Sequence, residues 1–207
     1  MKITLNSKII DSIELIKKRP SSHIRKKELL KLIDYANNKI DLHKGININF
    51  ICTHNSRRSI FSQVWAKIFS DYYGLQKVKT FSGGTESSYV SPNVIKTLSS
   101  YGFIINRLDH KKNSNYEITY SLNKNKILVF SKKYDDILNS KKNFVAVMTC
   151  LSAKENCPFI AGSEKIINLG YDDPKKYDNL KDPINMYLNI SNQIASDMNF
   201  VFSNLKI

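Results

Sequence analysis

Eight consecutive residues combine a nucleophile with groups that bind anions: Cys52-Thr53-His54-Asn55-Ser56-Arg57-Arg58-Ser59. A cysteine that faces the backbone N–H groups at a helix N-terminus is stabilised as its nucleophilic thiolate. The same N–H groups and the planar guanidinium of Arg58 would hold a tetrahedral oxyanion such as phosphate or arsenate. The spacing therefore predicts an oxyanion site around Cys52, with Ser59 placed to hydrogen-bond the sulfur.

The sequence on either side favours this interpretation over that of a cysteine that is merely buried. Ile46, Ile48 and Phe50 alternate as in a strand. After the loop, apolar residues recur at helical spacing: Ile60, Phe61, Val64, Trp65, Ile68 and Phe69. A strand, a loop and a helix in this order are what an anion cradle requires. The candidate substrate-binding residues are those of the loop itself: Thr53, His54, Asn55, Ser56 and Arg57.

Strands and helices alternate along the rest of the chain. The further predicted strands are Val78–Phe81, Ile127–Phe130, Phe144–Met148 and Ile166–Leu169. Helices are predicted from Pro92 to Gly102, around Tyr134–Leu138 and from about Pro183, whereas the polar residues 106–126 are expected to form a loop with little core. This alternation predicts an α/β fold with a small open parallel sheet of about four strands and helices on both faces.

The first 45 residues are predicted to be a helical extension, followed by a catalytic domain over residues 46–207. Two apolar stripes at helical spacing, one containing Ile9 and Ile13 and the other Leu29 and Ile33, are separated by Pro20. We expect the extension to pack on the core, the alternative being a surface for a dimer or a partner.

Composition restricts the partners and the compartment. The formal charge of +14 arises from 32 Lys and Arg against 18 Asp and Glu, but the lysines are scattered, so we expect anionic substrates and no nucleic acid. We see no signal peptide and no apolar run long enough to span a membrane, and we expect a cytoplasmic protein. Three cysteines argue against a structural disulfide framework.

The other two cysteines and one aspartate are further candidates for chemistry. Cys150 follows the strand that ends at Met148, and six residues separate it from Cys157. They could be a redox pair or two inert thiols, and they are too few for a zinc site, so no metal is predicted. Asp173 lies in a turn before Pro174, where it could protonate a leaving oxygen or could only shape the turn.

The loop from Cys52 to Ser59, the Ser82-Gly83-Gly84-Thr85 turn and the Asp173-Pro174 pair together resemble the low-molecular-weight protein tyrosine phosphatase superfamily. Within it, the Cys150-x6-Cys157-Pro158 segment resembles the thioredoxin-coupled arsenate reductases. The chain departs from the family pattern at His54 and Arg57, which suggests a bulkier and more cationic substrate ring. Lys175 and Lys176 also replace the tyrosines that phosphatases place after Asp-Pro, which weakens the case for an aromatic phosphoester.

The resemblance implies arsenate reduction. Cys52 would attack arsenate held by the loop and Arg58, Asp173 would protonate the departing oxygen, and Cys150 and Cys157 would pass a disulfide outward to thioredoxin. No bound cofactor is expected, and thioredoxin or a similar thiol would be the external reductant. The first alternative is a phosphatase that forms a phosphocysteine at Cys52, with a phosphotyrosine protein as its partner. The second is a non-catalytic anion-binding module.

Overall fold

The computed structural model describes residues 3–150 and 159–206. Its helices are α1 (Ser7–Lys17), α2 (Lys26–Asp41), α3 (Arg58–Tyr72), α4 (Pro92–Ser100) and α5 (Ile184–Ser203), and a 3-10 helix covers Pro174–Tyr177. Its strands are β1 (Ile46–Cys52), β2 (Val78–Gly84), β3 (Ile104–Arg107), β4 (Tyr116–Thr119), β5 (Lys126–Val129), β6 (Phe144–Met148) and β7 (Ser163–Asn168). No helix among these residues is both long and apolar enough to cross a bilayer.

A four-stranded parallel sheet in the order β2-β1-β6-β7 forms the centre of the molecule. Strand β1 pairs with β2 on one side, where Cys52 lies opposite Gly84, and with β6 on the other, where Ile51 lies opposite Met148. Because all four strands run in the same direction, their carboxyl ends share one edge of the sheet. The predicted α/β class with a small open parallel sheet is confirmed.

The two faces of the sheet are buried by different clusters of side chains. Alternate residues of β1, including Ile48 and Phe50, join Val145 and Val147 of β6 in the main core, to which all five of the described helices contribute. On the opposite face Ile51, Cys52 and Cys150 belong to a smaller cluster, completed by Phe144, Ala146, Met148 and Ile160. Both faces of the central strands are therefore covered, which explains the continuous apolar sequence of β6.

Residues 104–129 correct two of our expectations. The predicted loop at 106–126 contains β4, and β3, β4 and β5 form a separate antiparallel sheet, so the predicted strand at 127–130 does not join the parallel one. Ile118 and Tyr120 are almost fully buried in the main core, and the Tyr120 hydroxyl donates to Asp71 at 2.7 Å. The high content of Lys and Asn was misleading, because a strand with one wet face needs an apolar residue only at every second position.

The helix predicted around Tyr134–Leu138 is also wrong. These residues form turns, in which the Leu138 N–H donates to the Asp136 carboxylate at 2.9 Å and the Tyr134 N–H donates to the Gly84 carbonyl. An aspartate that accepts from the backbone two residues later favours a turn over a helix interior. The Tyr134 bond to Gly84 also ties this segment to the end of β2.

Residues 7–41 bury their apolar stripes in the same core as the sheet. Ile9, Ile13 and Ile16 of α1 are at most 1% exposed, and Leu29 and Leu32 of α2 are fully buried. Both helices pack on α5, the last helix of the chain. Side chains near the amino terminus therefore complete a core that the carboxyl-terminal helix also needs.

We predict that Ile13→Ala lowers the free energy of unfolding by about 2–5 kcal/mol, since it leaves a cavity between α1 and the core. The matched control is Leu15→Ala on the same helix, where the side chain is 64% exposed and the loss should stay within about 0.5 kcal/mol. Urea unfolding followed by fluorescence of Trp65 measures both. Equal stability of the two variants, or a separate transition of residues 1–45, would contradict a shared core.

Candidate active site

The loop after β1 holds the Cys52 sulfur at the bottom of a polar turn. Cys52 is 3% exposed, and its Sγ lies 3.1 Å from the Ser59 hydroxyl at the start of α3. Asn55, which has a left-handed φ of 45°, donates from Nδ2 to the same hydroxyl at 2.8 Å. Because the Ser59 oxygen accepts from the Asn55 amide, the Ser59 hydroxyl can donate its own hydrogen bond to the Cys52 sulfur.

Several hydrogen-bond donors of the loop are available to a ligand. Within the described part of the chain, the backbone N–H groups of residues 54–57 donate to no acceptor. The Arg58 Nε is buried and likewise has no partner among these residues. Unsatisfied buried donors are costly, and a ring of them at a helix N-terminus matches the oxygens of a tetrahedral anion. The geometry thus fits the oxyanion cradle predicted from the sequence.

The two glycines of β2 allow the neighbouring backbone to support this loop. The Thr85 N–H donates to the Cys52 carbonyl at 3.0 Å, and the Glu86 N–H to the Thr53 carbonyl at 2.8 Å. A Cβ on Gly84 would stand 2.6 Å from the Thr53 carbonyl oxygen, and one on Gly83 would overlap the backbone of Tyr134. The paired glycines are therefore required for close packing of two backbones on the loop.

Arg58 connects the loop to the segment after β7. Its Nη1 donates to the Tyr171 carbonyl at 3.1 Å, and its Nη2 donates to the Asp173 carboxylate at 2.7 Å. The other Asp173 oxygen accepts from the Lys175 N–H at 2.9 Å and begins the 3-10 helix. Asp173 thus acts in the turn and also contacts the candidate anion-binding arginine, and its role as a proton donor stays a prediction.

A buried network supports Tyr171 from below. The Tyr171 hydroxyl donates to Asp197 of α5 at 3.1 Å, and burial followed by the nearby Asp197 charge raises the pKa of Tyr171 well above its ordinary value. Arg25 donates to the same Asp197 carboxylate at 2.7 Å and lies 4.4 Å from the centre of the Tyr171 ring. A residue near the amino terminus therefore helps to place the carbonyl that Arg58 binds.

Arg57 and His54 differ in their surroundings. The Arg57 guanidinium donates to the Tyr187 hydroxyl and to Asp178, both at 2.7 Å. Although burial opposes it, the hydrogen bonds from Tyr187 and Arg57 hold the pKa of Asp178 below its usual value. The extra positive charge that we expected from Arg57 in the substrate ring is therefore offset by a carboxylate. The His54 imidazole is exposed, with Nε2 3.5 Å from Glu86.

The structure brings two of the three cysteines together. Cys150, which follows β6, is 1% exposed and shares a cluster with Cys52. Its Sγ lies 3.6 Å from the Thr53 hydroxyl, so it adjoins the residue after the nucleophile. Cys157 lies outside the described residues. No group of three His, Cys, Asp or Glu that could hold a metal occurs in the described part of the chain, and the predicted lack of a metal stays a prediction.

Sequence reasoning missed the residues that position the site through buried hydrogen bonds and ion pairs. The helical spacing after Pro183 places Tyr187 on an apolar face, but its hydroxyl also contacts Arg57 and, at 2.5 Å, Asp178. Arg25 and Asp197 are 172 positions apart, and no local pattern relates them. A polar residue inside an otherwise apolar helical face, as Asp197 is in α5, is the one signal that could have indicated a buried partner.

Comparison with characterised proteins gives a consistent set of relatives. No family model matches the chain. An arsenate reductase of Bacillus subtilis is 30% identical over 129 residues, which span 62% of this chain and 74% of the relative. An arsenate reductase 2 of Staphylococcus haemolyticus is 31% identical over 128 residues, or 61% of this chain and 77% of the relative.

Solved structures share the fold at low sequence identity. The low-molecular-weight protein tyrosine phosphatase of T. tengcongensis superposes with a TM-score of 0.52 at 14% identity, over 78% of this chain and all of that protein. A low-molecular-weight phosphotyrosine phosphatase of Vibrio cholerae gives 0.52 at 12% identity, over 77% of this chain and 95% of its own. These similarities establish the architecture and leave the substrate open.

Two charge-conserving variants test which arginine binds the oxyanion. We predict that Arg58→Lys weakens phosphate binding at least tenfold. A lysine ammonium cannot reproduce the planar guanidinium, which donates hydrogen bonds to Tyr171, to Asp173 and to the anion. The matched control Arg57→Lys should change the dissociation constant by only a few-fold, since the Arg57 guanidinium is already paired with the Asp178 carboxylate. Isothermal titration calorimetry with phosphate measures both. A larger loss in Arg57→Lys would assign the anion to the other arginine.

Proposed function

This chain belongs to the low-molecular-weight protein tyrosine phosphatase superfamily, and we propose that within it the protein reduces arsenate to arsenite through cysteine chemistry. The observation that carries the proposal is the burial of Cys150 beside the Cys52 loop, 3.6 Å from Thr53. A hydrolytic phosphatase needs one cysteine, whereas a reductase needs a second thiol that can reach the first. The curated relatives named as arsenate reductases support the same activity.

In the proposed first step, arsenate enters the ring of N–H groups and Arg58 turns its free Nε and one Nη toward it. The Cys52 thiolate forms a bond to arsenic, and an arsenate hydroxyl leaves as water after taking a proton from Asp173. Asp173 is ion-paired with Arg58 when no anion is bound. The bound anion would compete with this carboxylate for the guanidinium.

The second step transfers electrons. Cys150, as its thiolate, attacks the Cys52 sulfur, an S–S bond forms, and the electron pair of the S–As bond passes to arsenic, which leaves as arsenite. Cys157 then attacks the Cys150 sulfur and returns Cys52 as a thiolate, so the disulfide moves to Cys150 and Cys157. A dithiol reductant of the thioredoxin class would reduce that pair and complete the cycle. No bound cofactor enters this scheme.

The second candidate is phosphomonoester hydrolysis at the same loop. Its specific support is that Arg58, at the end of the Cys52 loop, pairs with Asp173, and these three side chains would be sufficient for a phosphocysteine intermediate. Both candidates share the attack by Cys52 and differ in what happens to the adduct. Water would hydrolyse a phosphocysteine, while Cys150 would displace the arsenic from the arsenate adduct.

We predict that Asp173→Asn slows arsenate-dependent disulfide formation by roughly 10²–10⁴, because the amide keeps the shape of the turn but cannot supply a proton. Rapid quenching of a single turnover and mass spectrometry of the cysteines measure the rate. The matched control is Asp172→Asn, because the Asp172 side chain is exposed and paired with Lys176. Its rate of disulfide formation should remain within a few-fold of the wild-type rate. Comparable losses in both variants would leave Asp173 with a role in the turn alone.

Three cysteine variants decide between the reductase and the phosphatase. We expect Cys150→Ser to abolish arsenate-dependent NADPH oxidation in the presence of thioredoxin and its reductase, because the Cys52 adduct has no attacking thiol. Cys157→Ser should form one Cys52–Cys150 disulfide and then stop. Cys52→Ser should be inactive in every assay.

Hydrolysis of 4-nitrophenyl phosphate provides the internal control for these variants. Any hydrolysis by the wild type should persist in Cys150→Ser and Cys157→Ser, because it needs only Cys52, Arg58 and Asp173. A wild-type protein that hydrolyses phosphotyrosine efficiently, yet forms no disulfide with arsenate, would overturn the reductase proposal in favour of the phosphatase.

A further inference from the structure

A cavity of about 520 Å³ lies between the two sheets, separate from the Cys52 loop. No step of the proposed reaction uses it. Its walls come from β2, from Gln63 and Lys67 of α3, and from the segment that runs through β5 to Lys132. Each of these strands is at the edge of its own sheet. They meet where the Gly84 N–H donates to the Lys132 carbonyl at 2.9 Å, and the cavity occupies the space beside this junction. Its volume is typical of a pocket for a small molecule.

One face of the segment from Lys126 to Lys132 points into this cavity. Lys126, Leu128, Phe130 and Lys132 all line it, and alternate residues of an extended segment share a face. Leu128 and, from the following turn, Leu138 are 44% and 54% exposed. Large apolar side chains that stay in contact with water at the mouth of a cavity indicate a ligand with an apolar body.

Lys132 supplies a charge that no described carboxylate contacts directly, and Asp136 acts on it only from a longer distance. Lys132 is 6% exposed, and within the described residues no carboxylate lies within 4 Å of its Nζ. The ammonium lies 4.7 Å from the centre of the Phe130 ring. Burial lowers the pKa of Lys132 to about 8, as expected for a desolvated amine. Removing an unpaired ammonium from water is costly, and an anion in the cavity would offset that cost.

Asn139 also lines this cavity. Asn139 is 5% exposed and donates from Nδ2 to backbone carbonyls that include that of Ser82, but its Oδ1 has no hydrogen-bond partner among the described residues. The cavity thus combines a buried lysine that no described carboxylate contacts with apolar side chains at its mouth. The β2 wall adds Lys79, which makes no ion pair within the described part of the chain.

From these contacts we propose that the cavity between β2 and β5 binds a small amphipathic anion, with an apolar body against Leu128 and Phe130 and a carboxylate or phosphate on Lys132. The site is separate from the Cys52 loop and does not depend on the proposed reductase activity. It does touch that loop, because the Lys132 N–H donates to the Asn55 Oδ1 at 3.0 Å. Its occupant is therefore close enough to influence the residue that orients Ser59.

The probe is 2-naphthoate, which carries one carboxylate on an apolar ring, and its matched neutral analogue is 2-naphthalenemethanol. By isothermal titration calorimetry we expect saturable binding of naphthoate to the wild type and about tenfold or more weaker binding to Lys132→Met, which keeps the length of the side chain and removes its charge. The control Lys133→Met changes the adjacent, exposed lysine and should bind as the wild type does. The neutral alcohol should bind all three proteins alike.

Failure of the wild type to bind naphthoate, or equal affinities of the wild type and Lys132→Met, would overturn the proposal. Equal losses of affinity in Lys132→Met and Lys133→Met would also overturn it, because they would show only non-specific attraction to positive charge. A second measurement needs only the wild type. Naphthoate should slow the reductive methylation of Lys132 by formaldehyde and borohydride, followed by mass spectrometry, and should leave Lys133 unaffected. Unchanged labelling of Lys132 would contradict binding at this site even if a variant failed to fold.

Discussion

Parallel pairing of β1 with strands on both of its sides is the constraint on which the rest of the structure depends. It places the end of β1 between the ends of β2 and β6, so Cys52 emerges beside Gly84 on one side and the approach to Cys150 on the other. Parallel strands deliver their carboxyl ends to one edge, and ligands of open α/β sheets collect at that edge. The loop needs a hydrogen-bonded support there, and the backbone after β2 provides it.

The charges around this loop are held by long-range pairs. Arg58 binds Asp173, Arg57 binds Asp178, and Arg25 binds Asp197 under the Tyr171 ring. Each pair joins elements that are distant in sequence, so the loop is clamped to the carboxyl-terminal part of the chain. Buried pairs contribute little net stability, but loss of one partner leaves a charge without compensation. Their clearest consequence here is geometric, because they fix where the Arg58 fork can point.

Local patterns predicted much of the fold and the centre of the candidate site. The alternation in β1, the helical spacing of α3 and the apolar run of β6 identified these elements, since each pattern follows from burial of one or both faces. The same reasoning missed β3 and β4, assigned β5 to the wrong sheet and wrongly predicted a helix around Tyr134–Leu138. Four-residue strands with one wet face contain too few apolar positions to be distinguished from a loop, and the turn at Asp136 resembles a short helix when read without its partners.

The sequence by itself determined that a cysteine, an arginine and a serine share one loop between a strand and a helix, because contacts within eight residues are set by local backbone geometry. Only the tertiary structure decided which charges face that loop. The tertiary packing pairs the Arg57 guanidinium with the Asp178 carboxylate and places the Arg25 guanidinium over the Tyr171 ring. It also buried Lys132 in a separate cavity. These outcomes depend on which distant carboxylates the packing of α5 and the two sheets brings near, and no spacing within one segment encodes that choice.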